Sequence, residues 1–350
     1  MNTGKPSLFL CRSPLQLLNC IEACEHFGLR GTHTVMVCAW RAERDKHLMQ
    51  RLLDLYPHWS ELHFFPLYPT KGQLPVMLKV FRGRRHFAHL FYGDSTHLIN
   101  VFLNKVGRFD AMHMVDDGTA TLHHARQVAE RTLHLQRKNF TYRHPLASRL
   151  LAGLGLSPTF NYQAKFFTIY DIPQPALRGR VVTNTLNFCR ARIGDKPRSG
   201  EIWFIGSNIR REVLINPDDY EDFLVQVGRH VDLSKVVYIP HRKESDDYLA
   251  GLARRFGMEI RRLKDILEIE LINAPTIPAS FISFGSSAVD TIDLLIHPPI
   301  TLFRIPDAAI EPVRLESVCG MYHSAVSKGF MVIDLEVAGS ASICPGPAHA

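Results

Sequence analysis

No apolar run in the sequence approaches the roughly 20 residues of a membrane-spanning helix, which excludes such a span. Residues 1–6 carry no apolar core of a secretory leader, so no leader is expected. The seven cysteines (Cys11, Cys20, Cys24, Cys38, Cys189, Cys319 and Cys344) are odd in number and never spaced CxxC. A disulfide framework is therefore excluded, and a reduced, cytosolic protein is expected. Cys20 and Cys24 lie four apart on an expected helix, where they read as small buried apolar side chains. Eighteen histidines show no paired ligand spacing, so catalytic metal is not expected. Also missing are a GxGxxG after a strand, a Walker loop, a nucleophile elbow, a DxD triplet and any solenoid repeat. RNA-binding aromatic motifs, zinc-finger spacing and a bZIP pattern are missing too, which argues against nucleic acid as a partner.

What the chain does have is enough material for two domains. Its 350 residues exceed the usual single-domain size, and 46% hydrophobic with 21% charged residues is an ordinary globular balance. A net charge of +7 favours anionic partners such as a nucleotide-linked substrate or an acidic lipid surface.

Strand and helix patterns alternate along the chain, which predicts parallel, doubly wound sheets. Strands are expected over 7–11, 34–39, 62–65, 89–92, 109–115 and 165–169, with helices over 14–27, 44–55, 96–106 and 144–154. Residues 193–200, rich in Gly, Pro and charge, read as a linker. Alternation then restarts, with strands over 201–205, 236–239, 279–284 and 300–303. Helices are expected over 220–231, 244–256, 288–296 and 316–328. The architecture expected is α/β: an N-terminal Rossmann-like lobe over 1–195, a C-terminal one over 200–338, and a flexible tail over 339–350.

Four strand ends carry the candidate chemistry. Val236–Ile239 is followed by Pro240, His241, Arg242 and Lys243, placing an imidazole and two cations where α/β sheets bind ligands. Asp116 and Asp117, before Gly118, could repel each other and raise one pKa to make a general base, although Asp-Gly is also a common turn signal. Gly285, Ser286 and Ser287 meet a helix start, which suits an anion; a capping box of Ser287 with Asp290 would explain one of the serines without a ligand. Gly206 and Ser207 follow another strand, where turn chemistry alone accounts for them. Residues 76–85 interleave apolar side chains with Lys79, Arg82, Arg84 and Arg85, suiting either an anionic membrane surface or a solvated helix packed on the core.

Leu8-Phe9-Leu10-Cys11-Arg12-Ser13-Pro14-Leu15-Gln16, Val115-Asp116-Asp117-Gly118-Thr119, Ile239-Pro240-His241-Arg242 and Phe284-Gly285-Ser286-Ser287 occur in the order seen in bacterial sialyltransferases. The sequence resembles glycosyltransferase family 52, the lipooligosaccharide sialyltransferases, and the related polysialyltransferases. The resemblance implies a GT-B fold, two Rossmann-like lobes with CMP-sialic acid in the cleft between them, and metal-independent, inverting transfer of sialic acid to a terminal galactose of a surface glycan. It makes Asp117 the general base and His241 the group that protonates or hydrogen-bonds the departing phosphate. Ser286 and Ser287 would bind that phosphate. Asp116, Gly118, Gly285, Gly206, Ser207 and Ser13 join them as substrate-binding positions, with Arg242 as a charge clamp.

Two positions depart from the pattern. Arg242 stands where the family has proline after the histidine, and Gly206-Ser207 is followed by Asn208 and Ile209, with no acid. Asp94 is the next candidate for the base. Alternatives are polysialyl or other CMP-keto-sugar transfer for capsule, or a non-catalytic nucleotide- or membrane-surface-binding protein on a degenerate GT-B scaffold. Expected partners are a CMP-sugar donor, with no separate cofactor, a glycan acceptor on lipid or polysaccharide, and the anionic inner-membrane surface. A homodimer is left open.

Overall fold

The computed structural model describes residues 4–67, 73–82, 86–93, 107–130, 164–172 and 174–337. The expected helices over 96–106 and 144–154, together with Asp94, Arg84, Arg85 and the 339–350 tail, lie outside them. The chain divides into two compact units, Met1–Arg192 and Ile193–Ala350.

The first unit is a seven-stranded sheet built from β1 (Ser7–Cys11), β2 (Thr34–Trp40), β3 (Glu61–Pro66), β4 (His86–Tyr92), β5 (Arg108–Val115), β6 (Lys165–Thr168) and β7 (Val181–Thr183). Its order is β3-β2-β1-β4-β5-β6-β7, and every pairing is parallel. β1 is buried at all five positions, the mark of a central strand covered on both faces. The chain then turns into helix Pro14–His26. Ser13 caps it by accepting the Gln16 N–H, and Pro14 opens it where a missing N–H costs nothing. Phe9 stacks on Phe91 at 4.6 Å between ring centroids, and Phe27 leans on Phe91, His113 and Phe167. Each fully buried phenylalanine contributes on the order of 1.5–3 kcal/mol.

The second unit has six parallel strands: β8 (Ile202–Ile205), β9 (Val236–Ile239), β10 (Glu259–Ile260), β11 (Ser280–Ser283), β12 (Ile300–Arg304) and β13 (Met331–Asp334). Their order is β10-β9-β8-β11-β12-β13. Phe204, Tyr220, Phe223, Tyr238 and Phe284 form its aromatic centre. The strand order reverses at β1/β4 in the first sheet and at β8/β11 in the second. Two open parallel Rossmann-like α/β lobes in one chain are the components of the GT-B class.

Three short strands, β7, β10 and β13, go unmarked by the sequence pattern, because each is an edge strand with little alternation to read. The expected linker is tied to the second unit. Ser199 N–H bonds Ile277 O at 2.8 Å, Ile277 N–H bonds Pro197 O at 3.0 Å, and the Lys196 ammonium reaches Leu271 O at 2.8 Å and also Ile272 O.

Candidate functional site

In the first unit, β1, β4 and β5 are neighbours, so the loops after them leave one edge of the sheet side by side. Ser13 follows β1, Gly93 follows β4, and Asp116, Asp117 and Gly118 follow β5. Gly93 has room for no side chain, since a Cβ there would lie 2.3 Å from the Gln16 side chain, whose Oε1 accepts the Arg12 N–H at 2.9 Å. Ser13 Oγ stands 3.5 Å from Asp117 Oδ1, joining two residues 104 positions apart. Asp117 N–H donates to Thr121 Oγ1 at 3.1 Å, and Gly118 takes φ +67°, a left-handed turn that favours glycine.

The two adjacent carboxylates divide sharply. Asp116 is 2% exposed; its Oδ2 accepts the Ile169 N–H at 2.7 Å, while Oδ1 has no hydrogen-bond partner. Asn19 Nδ2 donates to the Asp116 carbonyl at 3.2 Å, and Asn19 Oδ1 accepts from Asn184 Nδ2 at 2.9 Å, which fixes the turn from behind. Burial pushes the Asp116 carboxyl up to about 6, with the Asp117 charge the smallest contributor. The raised pKa expected from mutual repulsion is therefore chiefly a desolvation effect, and it falls on the enclosed acid. Asp117 is the half-buried member of the pair.

In the second unit, β9, β8 and β11 are neighbours, and they bring together three of the sequence motifs. Gly206 N–H donates to Ile239 O at 2.8 Å; a Cβ on Gly206 would stand 2.9 Å from that oxygen and 3.1 Å from the His241 nitrogen. Glycine here lets the β8 and β9 loops run in contact. Ser283 Oγ reaches across from β11 to donate to Ile205 O at 2.8 Å and accepts the Gly285 N–H at 3.0 Å. Gly285 has φ +148°, and a Cβ on it would run into Met321.

Glu244 closes the turn around His241. Its Oε2 accepts the His241 N–H at 2.7 Å, its Oε1 accepts the Tyr238 hydroxyl at 2.9 Å, and Tyr238 meets Tyr220 at 2.8 Å. The expected helix over 244–256 starts at Asp246, because the Glu244 side chain folds back toward the strand end. Lys243 N–H donates to His241 Nδ1 at 3.3 Å, so the proton of the neutral ring sits on Nε2. Burial, then the Arg242 and Lys243 charges, hold the His241 pKa below its usual value. The Lys243 ammonium itself is paired with Glu212 at 2.6 Å, while Arg242 is exposed.

The capping box of Ser287 with Asp290 does not form. Ser287 begins helix Ala288–Ile296 without a side-chain cap bond, and Asp290 pairs with Lys328 at 2.6 Å. The Ala288 N–H is taken by Ser286 Oγ at 3.3 Å. The site thus offers His241 Nε2–H and the Ser287 hydroxyl as donors for an oxyanion, at the positive end of the Ala288–Ile296 helix dipole. Among the described residues, no group of three or more His, Cys, Asp or Glu is placed to hold a metal ion, and no helix is long and apolar enough to cross a membrane. Sequence reasoning missed Glu244, Tyr238 and Asn19. For Glu244 a signal existed, since a carboxylate three residues after a strand-end histidine can close the turn.

No protein-family model matches the chain, and no curated protein matches it. Among solved structures it is similar to the S. aureus MnaA–UDP co-structure, at 10% identity and TM-score 0.48, covering 91% of this chain and 83% of that one. It is also similar to the UDP-GlcNAc 2-epimerase from Neisseria meningitidis bound to UDP-GlcNAc (11% identity, TM-score 0.46, 92% and 91% covered). The E. coli heptosyltransferase WaaC with ADP is a third (11% identity, TM-score 0.46, 95% and 93% covered).

Proposed function

We propose that the protein is an inverting glycosyltransferase that moves a sialic acid, or a related keto-acid sugar, from its CMP donor to a hydroxyl of a glycan carried on lipid or polysaccharide. One observation carries this reading: His241 and Ser287, far apart in sequence, follow the two strands that flank β8 and leave donors that suit a leaving phosphate. The glycosidic C–O bond to phosphate breaks, and the acceptor oxygen bonds to the same carbon from the opposite face. Asp117 takes the acceptor's proton. His241 Nε2–H and the Ser287 hydroxyl meet the charge appearing on phosphate, as does the positive end of the helix dipole. Such a base and such donors contribute roughly 10²- to 10⁴-fold each. With neutral His241 already the stable form, its part is a hydrogen bond rather than full proton transfer.

The test is thermal shift and turnover with CMP, CMP-sialic acid and UDP-sugars, without added metal. Stabilisation by CMP with slow release of free sialic acid is expected. Stabilisation by UDP-sugars alone would discard the sialyl reading, and CMP binding without any turnover would leave a binding protein.

A further inference from the structure

Beside the His241 turn, wholly within the second unit, lies a small pocket lined by Ser207, Asn208, Arg210, Arg211, Glu244, Ser245 and Tyr248. The Arg210 guanidinium lies over the Tyr248 ring, 4.2 Å from its centroid. That stack fixes both donors at the pocket. Neither is spent, because Arg210 Nε and the Tyr248 hydroxyl are buried atoms with no hydrogen-bond partner. A buried donor left unmade costs on the order of 1–3 kcal/mol, so the two together favour an accepting oxygen at this concave surface. The ion pair Arg210 makes with Asp218 is long, 3.7 Å, and Asp218 is almost fully exposed, which leaves most of the cation's capacity unused. Glu244 is the one anion lining the pocket, and both its oxygens already accept, from Tyr238 and from the His241 N–H.

We infer that this pocket binds an oxyanion of the donor, held by Arg210 and the Tyr248 hydroxyl. The inference rests on the proposed reading of the site, and it deepens that reading, because a CMP-linked keto-acid sugar carries two such groups: the nucleotide phosphate and the sugar carboxylate. Both attach at the reacting carbon, and Glu244 joins the pocket wall to the His241 turn. Arg210 also acts electrostatically on Glu244, so its loss alone would mix binding with support of that turn. Tyr248→Phe is the cleaner change, since it keeps the stacked ring and removes only the hydroxyl.

The experiment is calorimetric titration of the full chain, of Tyr248→Phe and of Arg210→Gln with CMP, with a slowly hydrolysed 3-fluoro CMP-sialic acid, and with inorganic phosphate, alongside melting curves. Tyr248→Phe should melt like the parent and bind the affected ligand about 5- to 20-fold more weakly, with Arg210→Gln losing about 10- to 100-fold. Loss confined to the CMP-sialic acid analogue assigns the carboxylate; equal loss on CMP and the analogue assigns the phosphate. Unchanged affinity of Tyr248→Phe for all three ligands would overturn the pocket while leaving the sialyltransferase reading intact. If the parent chain binds phosphate but neither CMP compound, that reading fails; the oxyanion pocket then stands only if Tyr248→Phe weakens phosphate. No binding of any of the three would overturn both.

Discussion

At the scale of single residues, the two acids of the Asp-Asp-Gly turn have separate work. Asp116 is enclosed and braced by Ile169 and Asn19, whereas Asp117 is half-buried, near the Ser13 hydroxyl and bonded through its backbone N–H to Thr121. Asp117→Asn keeps the shape and removes the base, so transfer should fall at least about 10²-fold while the Kd for CMP changes less than about twofold. A near-normal rate would remove Asp117 from that role. His241 yields a prediction of a different kind. Its pKa is held below the usual 6.5 by burial and two neighbouring cations, so the ring is neutral and Nε2–H is present throughout the neutral range. The pH profile of kcat/KM should therefore show no fall between pH 6.5 and 8 that His241→Gln abolishes. Such a fall would mean that a protonated imidazole is required.

At the scale of elements, the strand ends are held in contact by residues that look ordinary in sequence. Gly206 is the less forgiving of the second unit's two strand-end glycines, because its neighbours include backbone atoms of Ile239 and His241 that cannot rotate away. Gly206→Ala should push the β9 loop off β8 and weaken CMP binding about 10-fold or more, with a modest drop in melting temperature. Gly285→Ala meets only the flexible end of Met321, but strains a φ of +148°, so its cost should be mainly stability. Parent-like CMP affinity in Gly206→Ala would show that the contact is not what positions His241.

Much of this layer was legible in the sequence. Val236–Ile239 and Ser7–Cys11 announce themselves as short apolar runs, and the glycines and hydroxyls after them mark loops. What the sequence could not supply is order across the sheet. Nothing in residues 206, 241 and 286 reveals that β8 lies between β9 and β11, since that order is decided by long-range packing. The spacing of Glu244 three residues after His241 carried a signal, but an acid before a helix reads first as first-turn charge. The Arg210–Tyr248 stack was hidden because its partners are 38 positions apart.

At the scale of the whole molecule, the first unit carries two buried groups whose titrations oppose each other. His113 is 2% exposed, its ring packed on Phe27 and Phe91 and 3.4 Å from His89. Burial, with His89, Lys165 and His26 nearby, lowers its pKa from 6.5 to about 3. Between those values the unfolded chain binds a proton that the folded one refuses, so this group makes stability fall as pH drops from about 6.5 toward 3. Asp116 runs the other way. Its pKa rises from 3.8 to about 6, so the folded chain holds the extra proton, and stability from this group falls as pH climbs through that interval. Each effect is on the order of 3–5 kcal/mol, and across pH 4–6 the slopes are equal and opposite. The contributions of these two groups to the melting temperature should thus nearly cancel from pH 4 to 6. His113→Phe should expose the Asp116 slope, melting lower at pH 6 than at pH 4.5 relative to the parent. Asp116→Asn should expose the histidine slope, losing stability as pH falls over the same range. If both variants track the parent's pH dependence, neither group's burial governs the acid stability of the first unit.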